Sequence, residues 1–451
     1  MSAGNAATAL LGCTHPIVLA GMGGPSRAAL VGAVTAAGGF GFLGMVREPP
    51  ALIRQDVEAL RRTGHERFGV NIIPAATAPE LLAQQLDTII GLRVPVVALF
   101  WDLDAAVVKR LRDAGIIVVY QVGSADEAIA AERAGASLII AQGREAGGHV
   151  RGTTPLRELL PAVVAAVDVP VLAAGGLGTG GDLVIAQALG ADGVVLGTRL
   201  LASEESYAHP HHKRRLLAAG AEDTLLTDMF HINWPPGAPV RVLTSAVTAG
   251  ARGPDRPEAP TVIGEEAGRP IYLFSTDSPL QSMTGDFEAM ALYAGTGVGA
   301  VTAIAPAAEI VREIVAEAAV EPIAGAEHAV LSSPACSLAE VTGAYAGQLD
   351  AAEIAIEVAA LRNGLRALLA ETLAADRTLG ETPPFTATAL PLAQWIMRLT
   401  PFAAPHGARP APGDGRANLL TRLGRLIPQL PEDGLRTALA VLREWLDRDT
   451  R

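Results

Sequence analysis

The chain has 451 residues, half of them hydrophobic, with 47 acidic against 35 basic side chains and a formal net charge of −12. A single hydrophobic core rarely grows beyond about 250 to 300 residues, so two structural units are expected. The acidic balance disfavours nucleic-acid binding, which needs a basic face. The two cysteines, Cys13 and Cys336, show no spacing typical of a disulfide framework or a zinc site, which indicates a reducing cytoplasm.

The N-terminal region and the longest uncharged run predict neither secretion nor a membrane span. The first ten residues lack the basic flank and apolar core of a signal peptide. The uncharged run at 28–46 approaches the ~18 to 20 residues of a membrane span. Gly38 and Gly39 divide it where the apolar periodicity changes from helix to strand. We therefore expect a cytoplasmic protein without a membrane segment.

Short apolar runs recur with an amphipathic segment between each pair. The runs are at 16–20, 41–46, 68–73, 94–100, 116–122, 137–141, 169–174 and 193–197. Near-continuous apolar runs are typical of strands buried on both faces, and strand/helix alternation predicts parallel pairing. Eight such units predict a (β/α)8 TIM barrel. A doubly wound open sheet is the competing architecture.

Local signals mark the helices between these strands. Thr154 and Pro155 predict a helix start, with the hydroxyl as the cap and proline at the first helical position. Gly115 and Gly135 follow amphipathic segments and predict helix ends just before the next strand.

After the eighth run the pattern changes. A Pro- and Gly-rich stretch around Trp234 and at 253–268 predicts a subdomain inserted at about 203–285. The last barrel helix is expected at 287–293, and a further helix at 307–319.

The chain is predicted to form a catalytic domain at 1–320 and a mainly helical C-terminal extension at 321–451. Apolar residues at helical spacing in the extension are Ile354, Val358, Leu361, Leu365 and Leu368, then Leu435, Leu439, Leu442 and Leu446. A breaker-rich loop at 401–415 separates the two patterns. The extension shows no spacing of a catalytic motif, so a role in packing, or in forming a homo-oligomer through its helices, is expected.

Glycine-rich loops follow the seventh and eighth runs. They contain Gly175 and Gly176 in the first loop, and Leu196, Gly197 and Thr198 in the second. Barrels of this kind bind phosphate at these two strand ends through backbone N–H groups, where a side chain would block the approach. The sequence therefore predicts a phosphorylated ligand across the mouth of the barrel.

Polar side chains lie at the ends of other runs. His149 follows the sixth run, behind two glycines, and is carried to the barrel mouth, where chemistry gathers in such folds. Asn71, Gln121 and Gln142 end the third, fifth and sixth runs. Amides both donate and accept, which suits the edge of a flavin or nucleobase, but they equally suit pairing with buried loop backbone.

Six motifs carry a resemblance to one enzyme family. They are HPIVLAGM from His15, FGVN from Phe68, QGREAGGH from Gln142, AAGG from Ala173, LGT from Leu196 and LYAGTGVG from Leu292. About residues 10–320 resemble the nitronate monooxygenases, formerly called 2-nitropropane dioxygenases. The resemblance implies a TIM barrel that holds FMN non-covalently and oxidises alkyl nitronates with O2. It implies His149 as the catalytic residue, and FMN contacts at Met22, Asn71, Gln121, Gln142, Gly147, Gly175, Gly176, Val195, Leu196, Gly197 and Thr198.

The chain departs from the family pattern at two positions. Gly21 stands where a proline commonly precedes the methionine of the first motif, and Thr296 stands where the last motif usually has glutamine. The second departure is expected to weaken a contact and to alter substrate choice. Beyond about Glu321 the resemblance ends.

An imidazole with a pKa near ~6.5 can accept a proton from a carbon next to a nitro group, or orient an anionic nitronate beside the flavin. The main interpretation is therefore FMN-dependent oxidation of a nitroalkane or alkyl nitronate by O2, with His149 in one of these two roles. One alternative is an FMN-dependent NAD(P)H enoyl reductase of fatty-acid or polyketide type, which the lack of a basic patch for carrier protein disfavours. The other is a non-catalytic flavin-binding scaffold.

The remaining histidines have a simpler interpretation. His209, His211 and His212 precede a basic helical segment and are expected to form a solvated turn rather than a metal site. His231 lies in the predicted insertion and is a second, weaker candidate for the barrel mouth.

Overall fold

The structure is a computed structural model that describes residues 5–255, 257–319, 351–375, 383–385 and 389–399, with eleven further residues between 419 and 443. By backbone contacts the chain divides into two compact units. The first comprises Met1–Ala186, Gly190–Ala318 and Thr378–Pro384, and the second comprises Gln187–Leu189, Ala319–Arg377 and Phe385–Arg451.

A closed barrel of eight parallel strands forms the first unit. The barrel strands are β1 (Ile17–Leu19), β2 (Phe40–Gly44), β3 (Gly69–Ile72), β4 (Val96–Leu99), β5 (Ile117–Val122), β6 (Leu138–Gln142), β8 (Val171–Ala174) and β9 (Gly193–Leu196), with the two-residue strand β7 (Gly148–His149) in the loop after β6. Val18 pairs with Phe40 on one side and with Val195 on the other, which closes the ring. The predicted TIM barrel is confirmed, and the open sheet is excluded.

Apolar side chains fill the barrel interior. Phe40 and Phe42, from the second strand, pack with Val119, Ile140 and other residues of the remaining strands. Side chains of α1 (Ala6–Leu11) join the same cluster, and Asn5 bonds the carbonyl of Asp192, just before β9. The N-terminal helix therefore covers the end at which the strands begin, which leaves the opposite end for the site.

Helices alternate with the strands as the sequence predicts. They are α2 (Ala28–Ala36), α3 (Pro50–Arg62), α4 (Pro79–Gly91), α5 (Ala105–Asp113), α6 (Ala125–Ala134), α7 (Leu156–Ala166), α8 (Gly180–Ala188), α9 (Thr198–Leu201), α10 (Pro210–Leu217) and α11 (Ala307–Ala319). Gly115 and Gly135 follow two of these helices with φ of 77° and 108°, in the left-handed region that ends a helix. In the described residues, no helix is both long enough and apolar enough to span a membrane.

The start of α7 differs from the prediction. The helix begins at Leu156, with Pro155 as its N-cap and no bond from a local side chain. The Glu145 carboxylate accepts from the backbone N–H of Leu156 at 3.0 Å instead. The hydroxyl cap predicted at Thr154 is therefore wrong, because a distant carboxylate caps this helix.

The segment between α9 and α11 contains two small antiparallel sheets. Its strands are β10 (Thr224–Thr227), β11 (Val240–Leu243), β12 (Val262–Glu266), β13 (Arg269–Tyr272) and β14 (Met283–Gly285). One sheet has the order β10-β11-β7 and the other β13-β12-β14. The inserted subdomain is confirmed as part of the fold, and its first sheet takes β7 from the barrel loop.

The helix predicted at 287–293 is wrong. Only Phe287–Ala289 form a short 3-10 turn. Tyr293 instead bridges Val242, and Leu243 donates to the carbonyl of Leu292 at 2.8 Å. Pairing with β11 holds this stretch extended, although its apolar spacing resembles that of a helix.

The second unit contains α12 (Ala351–Ala375) and α13 (Leu390–Leu399), which pack against each other. The helical extension is thereby confirmed, although α13 was not foreseen. Val358, Leu361 and Leu365 are buried as expected, but the next buried residue is Leu369 rather than Leu368. Leu439 and Leu442 are buried. Leu435, Leu446 and the loop at 401–415 lie outside the described residues, as do the conformation of Glu321 and the side chain of Ile354.

Candidate active site

A cavity of about 630 Å³ opens among the loops at the carboxyl ends of the barrel strands. Most of the predicted site residues line it: Met22, Asn71, Gln121, Gln142, Gly147, His149, Gly175, Gly176, Val195, Gly197 and Thr198. Leu196 is placed differently, since it is only 1% exposed and its neighbour Val195 faces the barrel interior. The structure thus brings the predicted set together in one place.

The backbone of His149 is fixed by a sheet and by a side-chain amide. As part of β7, His149 pairs with Val240 of β11. Gln142 Nε2 donates to the carbonyl of His149 at 2.9 Å, and Gln142 Oε1 accepts from the N–H of Arg151 at 3.2 Å. Gly148 has a φ of 75°, which L-residues rarely adopt, and a side chain there would meet open space. The glycine therefore supplies the turn that aims the histidine.

Aromatic side chains surround the imidazole of His149. The Trp234 indole stacks on it, with ring centroids 3.4 Å apart and planes at 14°. Trp101 meets it edge-on at 6.1 Å and Tyr293 lies tilted at 6.1 Å. Within the described residues, His149 Nε2 is buried and has no hydrogen-bond partner. The histidine is therefore held in a largely apolar environment.

This environment keeps His149 neutral. Burial, together with the nearby positive charge of Arg47, lowers the pKa of His149 to about 3. Arg47 lines the cavity, donates to the carbonyl of Asn233 and lies 3.5 Å from Thr276 Oγ1. At neutral pH the imidazole therefore carries no charge.

Trp101 is positioned by an ion cluster behind it. The Arg151 guanidinium lies over the Trp101 ring at 5.1 Å and bonds the carboxylates of Glu127 at 2.7 Å and Asp102 at 3.0 Å. Trp101 in turn packs edge-on against Trp234 at 5.8 Å. Because Arg151 fixes Trp101 and Trp101 contacts Trp234, the ion cluster also restrains the rings around His149.

Trp234 comes from the inserted segment, and several hydrogen bonds hold its loop. Ile232 donates to Phe274 at 3.1 Å and accepts from the N–H of Thr276 at 3.1 Å, while Trp234 itself donates to His231 at 3.2 Å. Sequence reasoning noticed the Pro- and Gly-rich stretch but missed Trp234, Trp101 and Arg47 as site residues. Trp101 and Arg47 lie just after the ends of β4 and β2, and this position was a signal that could have found them, whereas Trp234 has no such signal.

The two glycine loops pack as closely as predicted, but partly for another reason. A Cβ at Gly176, whose φ is 74°, would lie 2.8 Å from Thr296 Oγ1 and 2.9 Å from Glu145 Cβ. The protein itself therefore requires glycine at this position. Gly197 differs, because a Cβ there would meet only Met22 Sδ at 3.8 Å and Ala20 Cβ at 3.9 Å.

Thr296 occupies a notable position beside this loop. It is fully buried, and Oγ1 has no hydrogen-bond partner in the described part of the chain. Its backbone N–H donates to the carbonyl of Glu145 at 3.0 Å. A buried hydroxyl without a partner is costly, and Thr296 does not itself line the cavity that its neighbours Gly295 and Gly297 line.

The other departure from the family pattern also has a structural counterpart. A Cβ at Gly21 would lie 2.3 Å from Asn71 Cβ, so a proline there would displace the asparagine. Asn71 Nδ2 donates to the carbonyl of Ala98 at 3.2 Å. Gln142 and Asn71 thus both pair with backbone, the alternative that sequence reasoning left open.

The remaining histidines differ from expectation in one respect. Instead of a solvated turn, the residues after His209 form α10, and His212 is fully buried. His212 Nε2 lies 3.0 Å from the carbonyl of Tyr293, and Nδ1 lies 3.3 Å from Ser278 Oγ. Burial lowers the pKa of His212 to about 4. The described residues contain no cluster of metal-ligating side chains.

His231 does not reach the cavity. Its side chain is 45% exposed, and Nε2 lies 3.0 Å from Asp255 Oδ2. Among the histidines that the structure describes, His149 is therefore the one on the cavity wall.

The closed parallel barrel, with a histidine loop and paired glycine loops at its mouth, defines a TIM-barrel enzyme. Residues 5–317 match the family described as nitronate monooxygenase, and the chain belongs to this family. Its enzymes are flavoproteins, typically with FMN. The resemblance seen in the sequence is confirmed.

Individual relatives differ in the activity that their names describe. A (3aS,4S,5R,7aS)-5-hydroxy-7a-methyl-1-oxo-octahydro-1H-indene-4-carboxyl-CoA dehydrogenase of Rhodococcus jostii is 35% identical over 241 residues, 53% of this chain. The match spans 65% of that relative, slightly less than two thirds of its length. A nitroalkane oxidase of Streptomyces ansochromogenes is 31% identical, with a TM-score of 0.57 over 70% of this chain and 98% of that one. FabK of Thermotoga maritima is 31% identical, with a TM-score of 0.60 over 69% of this chain and 94% of that one.

Proposed function

We propose that this protein is an FMN-dependent oxidoreductase that oxidises an alkyl nitronate or nitroalkane with O2. The observation that carries the proposal is the neutral imidazole of His149 on the wall of a cavity that the predicted cofactor contacts also line. Membership of the nitronate monooxygenase family and the likeness to a nitroalkane oxidase support it.

The residues at the cavity fit FMN. The open space beside Gly148 offers room for a ligand, and a Cβ at Gly197 would approach no atom closer than 3.8 Å, so a phosphate can come close to the backbone there. The phosphate would be held by the loops at Gly175–Gly176 and Gly197–Thr198, and the ring system by Met22, Asn71, Gln121, Gln142, Gly147 and the backbone of Val195 and Leu196. When bound, FMN supplies the electron transfer that no side chain can perform.

Of the two roles considered for His149, orientation of the nitronate is favoured over proton abstraction. General bases work best when their pKa lies near the working pH, whereas burial holds the pKa of His149 at about 3. A neutral imidazole can still hydrogen-bond an oxygen of the nitro group. Trp101 and Tyr293, packed beside the imidazole, limit the water around that bond, which strengthens it.

A thioester reductase is the second candidate. The relative from Rhodococcus jostii, named as a carboxyl-CoA dehydrogenase, supports a thioester ligand. The net charge of −12 argues against docking of an acidic carrier protein but leaves a CoA thioester possible as substrate. In that case NADH would bleach the bound flavin and an enoyl thioester would restore its colour.

The proposal extends to the setting of the enzyme. We infer that residues 1–320 form the catalytic domain and 321–451 an extension of separate role, in a cytoplasmic protein whose partners are a small nitro compound and O2. A homo-oligomer through the extension stays a proposal. Val358, Leu361 and Leu365 are already buried in a single chain, which weakens it.

The decisive experiment is an absorbance spectrum of the purified protein followed by anaerobic mixing with a nitronate. The protein should be yellow, release FMN rather than FAD on denaturation, and lose its flavin absorbance on mixing. A colourless protein that FMN does not reconstitute would overturn the cofactor assignment. A flavoprotein that ignores nitronates but reacts with NADH and an enoyl thioester would establish the second candidate.

A further inference from the structure

The indole of Trp234 covers one face of the imidazole of His149, the side chain that faces the cavity. The rings lie nearly parallel with centroids 3.4 Å apart. Both His149 Nε2 and Trp234 Nε1 are closed to solvent, and neither has a hydrogen-bond partner in the described residues. Two buried polar atoms without partners make this arrangement costly, so a conformation that frees them is close in energy.

No ligand atom can bond Nε2 while the rings around the imidazole keep this packing, because the atom is closed to solvent. His149 or one of the rings packed around it must therefore move before Nε2 meets a substrate. His149 belongs to β7 and is packed by Trp101 and Tyr293 as well as by Trp234. Trp234 is partly exposed and lies beside the free volume of the cavity.

The backbone that carries Trp234 is anchored at the two residues that precede it. Arg47 donates to the carbonyl of Asn233, and Thr276 bonds the carbonyl of Ile232 through both its N–H and its hydroxyl, at 3.1 and 3.2 Å. These bonds leave the loop in place while the side chain turns. The motion is therefore a rotation of one indole and not the opening of the loop.

We propose that Trp234 is a gating and specificity-determining residue: its indole closes His149 Nε2 from the cavity and turns into the free volume when a substrate enters. The turned indole then occupies part of the cavity and limits the bulk of the group that can lie beside the histidine. The substrate selection, a nitronate carbon of limited size, rests on the proposed function. The gate itself does not, since it concerns access to one nitrogen atom.

Access to Nε2 can be measured without turnover. Diethyl pyrocarbonate acylates neutral imidazole nitrogens that it can reach, and the rate at His149 is read by peptide mass spectrometry of the flavin-loaded protein. The comparison uses wild type, Trp234→Ala, which removes the covering ring, and Trp234→Phe, which keeps a ring in the stacked position. The fully buried His212 serves in the same digest as the control for general loosening.

In the wild type and in Trp234→Phe we expect slow modification of His149. In Trp234→Ala it should be about 10- to 1000-fold faster, because gated states are typically open about 0.1 to 10% of the time. His212 should stay unmodified in all three. Equal rates at His149 in wild type and Trp234→Ala would overturn the gate, as would a parallel increase at His212.

Steady-state kinetics tests the selection separately. Trp234→Ala should raise kcat/KM for the nitronate of nitrocyclohexane relative to that of nitroethane, and Trp234→Phe should not. An unchanged ratio would overturn the selection by size. If the wild type oxidises neither nitronate while the acylation result holds, the proposed function fails and the gate stands.

Discussion

The imidazole of His149 and the indole of Trp234 lie 3.4 Å apart and nearly parallel, although one belongs to a barrel loop and the other to the inserted segment. The sheet β10-β11-β7 joins the two, since Val240 of β11 pairs directly with His149. The site is therefore a joint product of barrel and insertion. The barrel provides the glycine loops, and the insertion provides the cover that keeps the imidazole dry and neutral.

Replacing His149 tests its role. His149→Asn should retain FMN and lower kcat/KM by about 10- to 100-fold, because one hydrogen bond to a charged group is lost. Because the pKa of His149 lies at about 3, the loss should be similar for a preformed nitronate and for the neutral nitroalkane. A much larger loss with the nitroalkane, of the ~10² to 10⁴ typical of a missing general base, would show proton abstraction instead.

The pH profile gives an independent measure. The folded pKa of about 3 lies far below the usual ~6.5, so His149 stays uncharged from pH 8 down to pH 5. Initial rates with a preformed nitronate should therefore show no limb near pH 6.5 that disappears in His149→Asn. Such a limb would mean that the imidazole titrates in the working enzyme, so that its burial in the closed arrangement does not set its charge during turnover.

Gln142 is expected to act through the histidine loop. Its amide bonds the carbonyl of His149 and the N–H of Arg151, so Gln142→Leu removes two contacts that fix the loop. We expect a fall in kcat of about tenfold or more with FMN content little changed, because misplaced catalytic groups are costly even over short distances. Gln121→Leu is the matched control, since it removes another proposed FMN contact at the same cavity without these loop contacts, and its kcat should change little. A loss of FMN in Gln142→Leu, with kcat of the loaded fraction unchanged, would show that Gln142 acts through its proposed contact with FMN and not through the histidine loop.

Gly176 and Gly237 have the same φ of 74°, so replacing each by alanine separates the cost of close packing from the cost of backbone strain. Gly176→Ala places a Cβ 2.8 Å from Thr296 Oγ1, whereas a Cβ at Gly237 meets nothing within 4 Å. Both variants incur the roughly 1 to 2 kcal/mol of the left-handed conformation, and only Gly176→Ala adds overpacking of about 1 to 3 kcal/mol. The temperature of thermal unfolding and the ratio of flavin to protein absorbance should both fall further in Gly176→Ala than in Gly237→Ala. Equal effects in the two variants would remove the argument from close packing.

The barrel could be predicted because each of its strands is buried on both faces and therefore written as a short apolar run. The residues at the strand ends followed, since the fold itself brings strand ends together, as it does for Asn71, Gln142 and Gly176. Local spacing failed where distant pairing decides the conformation. Leu292 and Tyr293 have the spacing of a helix, but β11 holds them extended.

The cover of the site was beyond prediction for a related reason. No local pattern links Trp234 to His149, because their contact depends on a loop path through the insertion. The cap of α7 is a similar case, since Glu145 lies outside the helix that it caps. In the extension, the burial of Leu369 rather than Leu368 shows how the spacing drifts along a long helix, as expected from 3.6 residues per turn.

His212 should make folding stability depend on pH. Burial lowers its folded pKa to about 4, whereas an unfolded histidine titrates near ~6.5. Between these values the unfolded chain binds a proton that the folded protein does not, so stability falls as pH drops from 6.5 to 4 and this contribution levels off below 4. His212 contributes a change in the free energy of unfolding of up to about 1.4 kcal/mol per pH unit, or roughly 3 kcal/mol over the window.

Urea unfolding of wild type and His212→Gln at pH 7, 6 and 5 measures this contribution, since glutamine can still donate to the carbonyl of Tyr293 but does not titrate. His212→Gln should be less stable than wild type at pH 7, and the difference should shrink as the pH falls. His231→Gln, at an exposed histidine, serves as the control. Parallel stability curves for wild type and His212→Gln would show that His212 is charged, or accessible, in the folded protein.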